Sequence, residues 1–585
     1  MEQTFSAGRR ERMLQQMSEQ RLDVLVIGGG ITGTGIAWDA SLRGLRTGLV
    51  EMRDFSWGTS SRSTKLVHGG LRYLKQGEVK LVMEVGRERA LLHEKAPHIV
   101  IPAPMMLPIY KGGTYGYFMS SIGLYVYDLL AGVKRGERRI MYGRAKTLEL
   151  EPLFKTEGLK GAGYYYEYRT DDSRLTIEIA KTAHGHGASL VNYAKAAGFL
   201  YEGGKVAGVN VEDVLTGRTY PVYAKKIINA AGPWVDRVRQ NDHEVKGKRL
   251  LLTKGVHLVV DHSRLPVKQS AYLDVPDGRM IFVIPREGKT YIGTTDTFYE
   301  GKIEEPRTTR KDRDYLLDAV NHAFPGVRLT AADVESSWSG LRPLIREEGK
   351  GPSEISRKDE IFRSESGLIT IAGGKLTGFR KMAEKVVDLV ERELGEEEGL
   401  KAVGCRTDRD SISGGDRGGF ASYDDYRRQW IERGERIGVP ARDTEYLLGR
   451  YGSNIAVIFD AYTGAEAETA ASAESASANG TKAAAVSIRP GAASPQKKDG
   501  LRLLEAELRY AIRHEMTVTA ADFLVRRTGL VTFDRKRAET LALPVVRTMA
   551  ELLGWSPERA ERERQEVQEA IEQASSFPDI ADTAG

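Results

Sequence analysis

Residues 23–51 read DVLVIGGGITGTGIAWDASLRGLRTGLVE. The apolar run DVLVI has the length of a buried strand and stops at three glycines. Beyond them Ile36, Ala37 and Ala40 recur at helical spacing, and RTGLVE is a second apolar run. Strand, glycine turn, helix and strand in that order open a Rossmann-type α/β sheet. Gly28, Gly30 and Gly33 fit G-x-G-x-x-G. The first glycine allows the tight turn, the second lets backbone approach a pyrophosphate, and the third lets the helix pack on the strand. The helix start then offers free N–H groups and a partial positive charge to phosphates. Glu51 ends the second strand roughly 20 residues past the turn, where a carboxylate accepts hydrogen bonds from a ribose diol. A glycine turn alone is a weak signal; with strand, helix and acid in place it reads as a dinucleotide site.

The residues after Glu51 separate a flavin from a nicotinamide. A nicotinamide dehydrogenase continues with regular βα units after the acid. This chain runs instead through GTSSRSTK, residues 58–65, a loop dense in hydroxyls. Thr59, Ser60, Ser63 and Lys65 can wrap a second side of a pyrophosphate or a flavin edge. In isolation such a loop would be a solvated surface. Directly after it come Leu66 and then His68, Gly69, Gly70, Arg72 and Tyr73. There the glycine pair permits close approach to a planar ring, and a histidine, an arginine and a tyrosine cluster beside it.

Further out, residues 205–211 and 220–228 read as strands of an antiparallel or mixed sheet, and residues 255–260, 280–285 and 290–293 as more strands of the same kind. Helical patterns at 174–186 and 312–324 intervene, and residues 367–394 pass from LITIAG through GGK into a long amphipathic helix. A nucleotide-binding core over residues 21–400, interleaved with a mixed-sheet substrate domain, accounts for this order. Residues 1–20 are a polar N-terminal extension without the apolar core of a signal peptide. Residues 401–585 form an all-α C-terminal domain. It is interrupted at 464–495 by an Ala/Ser-rich stretch of low complexity with no apolar face.

The 585 residues are 41% hydrophobic and 29% charged, with 86 Lys+Arg against 81 Asp+Glu. That near-balance does not point to nucleic acid, and an anionic small molecule needs only a local positive pocket. The single cysteine, Cys405, excludes an internal disulfide framework and a cysteine-cluster metal site, and no ligand spacing points to a metal. A reducing cytoplasm fits. Residues 116–133 are apolar except for Asp128, but slightly short for a span and rich in Gly, Ser and Tyr; they read as a buried or interfacial helix.

At these residues the sequence resembles the FAD-dependent, respiratory glycerol-3-phosphate dehydrogenases, within the D-amino-acid-oxidase-like flavoproteins. The matching stretches are VIGGGITGTGIAWDA, TSSRSTKLVHGGLRYL, INAAGPWVD, LTKGVHLVV, FVIPREGKTYIGTTD, SGLRPL and IAGGKLTGFRKMAE. The helical AELRYAIRHEMTVTAADFLVRRT is similar to the family's C-terminal cap. KLVHGGLRYL together with GGKLTGFR is the specific part. The insertion and the N-terminal extension are departures that touch no motif.

The resemblance implies noncovalent FAD, oxidation of glycerol 3-phosphate and electron transfer to a membrane quinone. Oxidising a secondary alcohol requires a base for the hydroxyl proton, an acceptor facing the C–H, and cations for the phosphate dianion. Arginine suits the last role because its planar fork binds phosphate oxygens in pairs. By resemblance Arg342 and Arg357 are the phosphate-side arginines, with Arg72 and Tyr73 at the hydroxyl end. Two histidines, His257 and His68, compete for the base. Lys375 opens the last helix, adding positive charge beside the flavin or the phosphate, with Gly374, Leu376 and Thr377 around it. Gly232, in NAAG, lies against the adenosine half. The partners expected are glycerol 3-phosphate, a membrane quinone and the inner face of the cell membrane, met peripherally from the cytoplasm. A homodimer fits as well. An oxidase using dioxygen is the nearest rival, and a non-catalytic flavin-binding sensor a more distant one.

Overall fold

The computed structural model describes residues 4–69, 79–113, 123–126, 135–243, 248–346, 358–464 and 495–579. The strand Leu22–Ile27 is buried along nearly its whole length, as a strand covered on both faces must be. It lies between Thr219–Asn229 and Thr47–Val50, parallel to both. Ile27 stands opposite Asn229 on one side and Val50 on the other, so three strands end together where the glycine turn begins. Ile369–Gly373 continues the parallel order beyond Thr219–Asn229, with Asp359–Arg363 antiparallel at one edge and Ser189–Val191 at the other. Helices Ile31–Leu42, Asp172–Gly185 and Phe379–Glu398 share the apolar core of this sheet. The carboxyl edge of such a sheet is where ligands bind.

The strands expected to be of one kind divide between two sheets. Lys205–Asp213 pairs antiparallel with Thr219–Asn229 and so belongs to the nucleotide sheet. Leu250–Asp261, Met280–Arg286 and Lys289–Gly293 belong to a second sheet of ten strands, built with Ile101–Tyr110, Leu159–Arg169 and Val334–Ile345. Strands of both sets are rich in apolar and β-branched residues, and that composition does not say which sheet a strand joins. The chain crosses between the sheets repeatedly, so the two domains interleave.

Within the polar N-terminal extension, Arg10–Glu19 form a helix. Met13, Leu14 and Met17 are buried in the core of the nucleotide sheet. Arg10 donates to the Asn192 carbonyl (2.6 Å) and to Asp213 Oδ1 (3.0 Å).

The C-terminal helices carry apolar clusters of their own, one around Leu447, Tyr451 and Phe459, another around Phe523, Val545 and Met549. Buried charge ties them to the cofactor half. Asp54, in the loop after Glu51, accepts from Arg526 Nε (2.6 Å), from both terminal nitrogens of Arg527 (2.5 and 2.9 Å) and from Asn192 (3.0 Å). Burial pushes the Asp54 carboxyl up, but Arg527 and Arg526 hold it below the usual carboxylate range. Arg174 makes a second such link to Glu515 (2.6 and 2.8 Å). Most of the Ala/Ser-rich stretch, 465–494, lies outside the described residues.

Candidate functional site

A single cavity of about 1120 Å³ runs along the carboxyl edge of the nucleotide sheet and under the second sheet. That exceeds the roughly 300–1,000 Å³ of a site for one small ligand. Its cofactor end is cut by missing side chains. Gly28 has φ +114°, and a Cβ there would lie 2.6 Å from the Ala230 carbonyl oxygen. A Cβ on Gly33 would run into the carbonyl of Gly28, and one on Gly30 would come within 3.0 Å of Ser60 Oγ. Gly30 caps the helix Ile31–Leu42 with no side chain of its own, and Ser60 Oγ accepts from Ile31 N instead (2.9 Å). Glu51 takes Gly29 N (2.7 Å) and Arg53 N (2.9 Å) on its two oxygens and still lines the cavity. Burial pushes its carboxyl up against the effect of those two N–H donors. Gly232 (φ +55°) lines the same end, and its Cβ would meet no protein atom.

The hydroxyl-rich loop divides. Thr59, Ser60, Ser63, Thr64 and Leu66 line the cavity. Thr59 Oγ1 donates to the Leu341 carbonyl (2.7 Å), and Ser63 N to Asp172 (2.9 Å). Lys65, expected to meet the cofactor, turns away. Its ammonium is buried on Asp172 Oδ1 (2.6 Å) and the Ser61 carbonyl (3.0 Å), 5.6 Å from the centre of the Trp338 ring. A buried cation needs a fixed counter-charge, and Asp172, at the start of a helix, supplies it. Arg62, to which the loop's spacing gives no special place, lines the cavity instead.

At the other end the second sheet contributes His257 and Arg342. His257 Nε2 lies 3.0 Å from Thr64 Oγ1, and its ring stacks on Trp338 at 4.6 Å. Its Nδ1 is buried with no hydrogen-bond partner among the described residues. Burial, then the charges of Arg342 and Lys65, hold its pKa well below the usual histidine range, so the ring is neutral. Arg342 donates to Thr294 Oγ1 (2.8 Å), Asp296 Oδ1 (3.1 Å) and the Thr295 carbonyl (3.2 Å). Two glycines make room for this pair. A Cβ on Gly255 would overlap the Arg342 guanidinium, and one on Gly293 the His257 ring. Glycine in an apolar strand marks a close approach, a signal the sequence carries at both positions without saying what approaches.

The third contribution comes from the end of Ile369–Gly373. Gly373 and Gly374 have φ near +80°, where Cβ atoms would strike the Lys358 carbonyl and the Met382 sulfur. Lys375 lines the cavity but does not open the long helix. It precedes the 3-10 turn Leu376–Gly378, and the helix starts at Phe379. Leu376 and Thr377 also line the cavity, and Thr377 Oγ1 clasps the backbone of His68, accepting from its N–H (3.1 Å) and donating to its carbonyl (3.2 Å). The His68 ring stands edge-on to Phe282. One cavity therefore unites His68, His257, Arg342 and Lys375, while Arg72, Tyr73 and Arg357 lie outside the described residues.

A carboxylate at one end, a glycine cradle at a helix N-terminus in the middle and a second cradle at Gly373 and Gly374 fit an extended dinucleotide, leaving the His257 and Arg342 end for a substrate. Comparison with known proteins agrees. Residues 23–381 match the FAD dependent oxidoreductase family, and residues 405–560 match the C-terminal domain of alpha-glycerophosphate oxidase. The aerobic glycerol-3-phosphate dehydrogenase of Bacillus subtilis is 51% identical, with 98% of this chain and 99% of that protein covered. The Staphylococcus haemolyticus enzyme of the same name is 48% identical over 97% of each chain. The crystal structure of the Bacillus halodurans glycerol-3-phosphate dehydrogenase, complexed with FAD, superposes with a TM-score of 0.80 at 44% identity, covering 98% of this chain and 99% of that one. The chain belongs to the FAD-dependent aerobic glycerol-3-phosphate dehydrogenases.

Proposed function

We propose that this protein oxidises sn-glycerol 3-phosphate to dihydroxyacetone phosphate and passes the electrons to a membrane quinone. The observation that carries the reading is the pairing, at one end of a dinucleotide cavity, of a buried neutral histidine with an arginine held open by Gly255. Bound FAD supplies the hydride acceptor for the substrate C2–H. Gly28, Gly30, Gly33, Glu51, Ser60 and Gly374 hold it, and Arg342 takes the phosphate with Lys375 adding charge nearby. His257, fixed by Thr64 and Trp338, accepts the proton of the C2 hydroxyl. Its low basicity comes partly from Arg342, and a phosphate dianion seated on that arginine offsets this repulsion as substrate binds. His68 is the other candidate base.

The direct test is anaerobic bleaching of the bound flavin by glycerol 3-phosphate, against glycerol and D-amino acids. Bleaching by an amino acid alone overturns the substrate. His257→Gln and His68→Gln in single-turnover reduction decide the base; neither is the base if neither slows reduction roughly 100-fold at saturating substrate.

Among the described residues no helix is long and apolar enough to cross a membrane. A peripheral contact is supported by exposed Tyr125 and Ile140 beside Arg139, whose guanidinium lies 5.5 Å from the Tyr125 ring centre. Failure to bind vesicles in low salt, together with failure to reduce a quinone analogue, would end the membrane reading. The match of the C-terminal domain to that of an oxidase favours one further reading, dioxygen as acceptor. Stoichiometric peroxide during turnover would establish it.

A further inference from the structure

The loop after Gly58 carries two cations, Arg62 and Lys65, and among the described residues only Lys65 has a counter-charge. Lys65 is neutralised by Asp172. Arg62 lines the cavity, and among the described residues no carboxylate lies within ion-pairing distance of it. Its guanidinium carbon lies 5.3 Å from the centre of the Trp57 ring. Burial, then the neighbouring charge of Arg526, pushes the guanidinium down to about 10, far from the ordinary range of an arginine. A half-buried cation in this position is costly until an anion joins it.

The backbone at Arg62 is firmly placed. Arg62 N donates to the Thr59 carbonyl (3.0 Å), closing the turn Thr59–Ser61. Its own carbonyl presses on Gly340, where a Cβ would collide with it. Two residues earlier Ser60 bonds Ile31 N at the start of the glycine-turn helix, against Gly30. The hydroxyl, the helix N-terminus and the arginine line one cavity, and Ser60 and Arg62 stand two residues apart in the same turn.

We propose that Arg62 binds the pyrophosphate of FAD, supplying from the loop the positive charge that the helix N-terminus provides only in part. Trp57 carries the stem and face of the side chain and keeps it extended toward the cavity. The assignment rests on the cavity being the FAD site. It replaces Lys65, the cation of this loop expected at the cofactor, with one whose charge is still available to a ligand.

The test uses the holoenzyme and reads cofactor release rather than turnover. Protein is diluted and the rise in free-flavin fluorescence is followed at low and at moderate salt. For Arg62→Gln, release is expected to be at least about 10-fold faster than in the wild type and less accelerated by salt, because the screened ion pair is gone. Arg62→Lys keeps charge and stem but not the fork, and an intermediate rate with salt sensitivity retained is expected. The KM for glycerol 3-phosphate of the FAD-loaded variants should stay within about twofold of wild type. Unchanged release in Arg62→Gln overturns the proposal. So does faster release in both variants with wild-type salt dependence, which marks a packing role. A raised KM with FAD retained would assign Arg62 to the substrate phosphate instead and overturn it equally.

Discussion

Replacing Gly255 by alanine should weaken substrate binding through a residue it does not itself provide. Gly255 sits in the strand Leu250–Asp261 opposite Gly340, and its φ lies outside the left-handed region, so alanine fits the backbone. The new Cβ would fall on the Arg342 guanidinium, the mobile end of a long side chain. The arginine therefore moves and the strand does not, and the stability cost should stay within about 1 kcal/mol. The guanidinium loses its seat on Thr294, Thr295 and Asp296 and with it its aim at the phosphate. A hydrogen bond to a charged group contributes about 1.5–3 kcal/mol, so affinity for glycerol 3-phosphate should fall roughly 10- to 150-fold. Anaerobic titration of flavin bleaching gives the affinity, with flavin content and thermal midpoint measured on the same sample. Arg342→Met should lose a similar amount. Because the alanine acts only through Arg342, the double variant should be no worse than the arginine variant alone. Wild-type affinity in Gly255→Ala, or additive losses in the double variant, would refute the reasoning.

The same geometry sets three further outcomes. Gly33→Ala puts a methyl group into the Gly28 carbonyl and should purify with roughly a tenth or less of the normal flavin, read from the ratio of flavin to protein absorbance. Asp54→Asn leaves Arg526 and Arg527 short of a buried negative charge and should cost about 3–5 kcal/mol in denaturant unfolding, and a loss under 1 kcal/mol would contradict the buried-pair account. His98 is buried, and burial, then Arg174 and Lys181, push its pKa down to about 3. Below about pH 6.5 the unfolded chain takes up a proton that the folded chain refuses, so stability falls as pH drops, by about 1.4 kcal/mol per unit. His98→Leu should therefore remove about 2 kcal/mol of the stability lost between pH 7 and pH 5, measured as the change in unfolding midpoint at the two pH values.

The cofactor end of the site was legible because its requirements are local. A strand, three glycines, a helix and an acid lie in one continuous stretch; Gly33 is needed for a contact within that unit, Gly28 for one at the end of the neighbouring strand, and Gly30 for the approach of Ser60 just beyond it. That His257 and Arg342 line this cavity was expected only through motif resemblance, and Lys375 through that and its place before a helix, since nothing near His257 in sequence tells a strand histidine facing a cavity from one facing a core. The N-terminal helix was missed because its apolar residues are few, and its burial depends on a sheet assembled from distant segments.

The sequence by itself determined a dinucleotide-binding α/β unit at Asp23–Glu51, the interleaved plan and the family. The unit comes from short-range periodicity and from glycines whose absent side chains are a local necessity, the plan from the order of such segments, and the family from the resemblance of its motifs. Tertiary structure alone decided which cation of the hydroxyl-rich loop reaches the cavity. Asp172 claims Lys65 from the start of a helix more than a hundred residues further on, and Arg62 is left facing the cavity. It decided equally that Gly255 and Gly293 belong to the substrate end, because the guanidinium and the imidazole they accommodate arrive there only when separate strands pair. Charge partners and close approaches are set by which strands and helices come together, and sequence spacing does not record that.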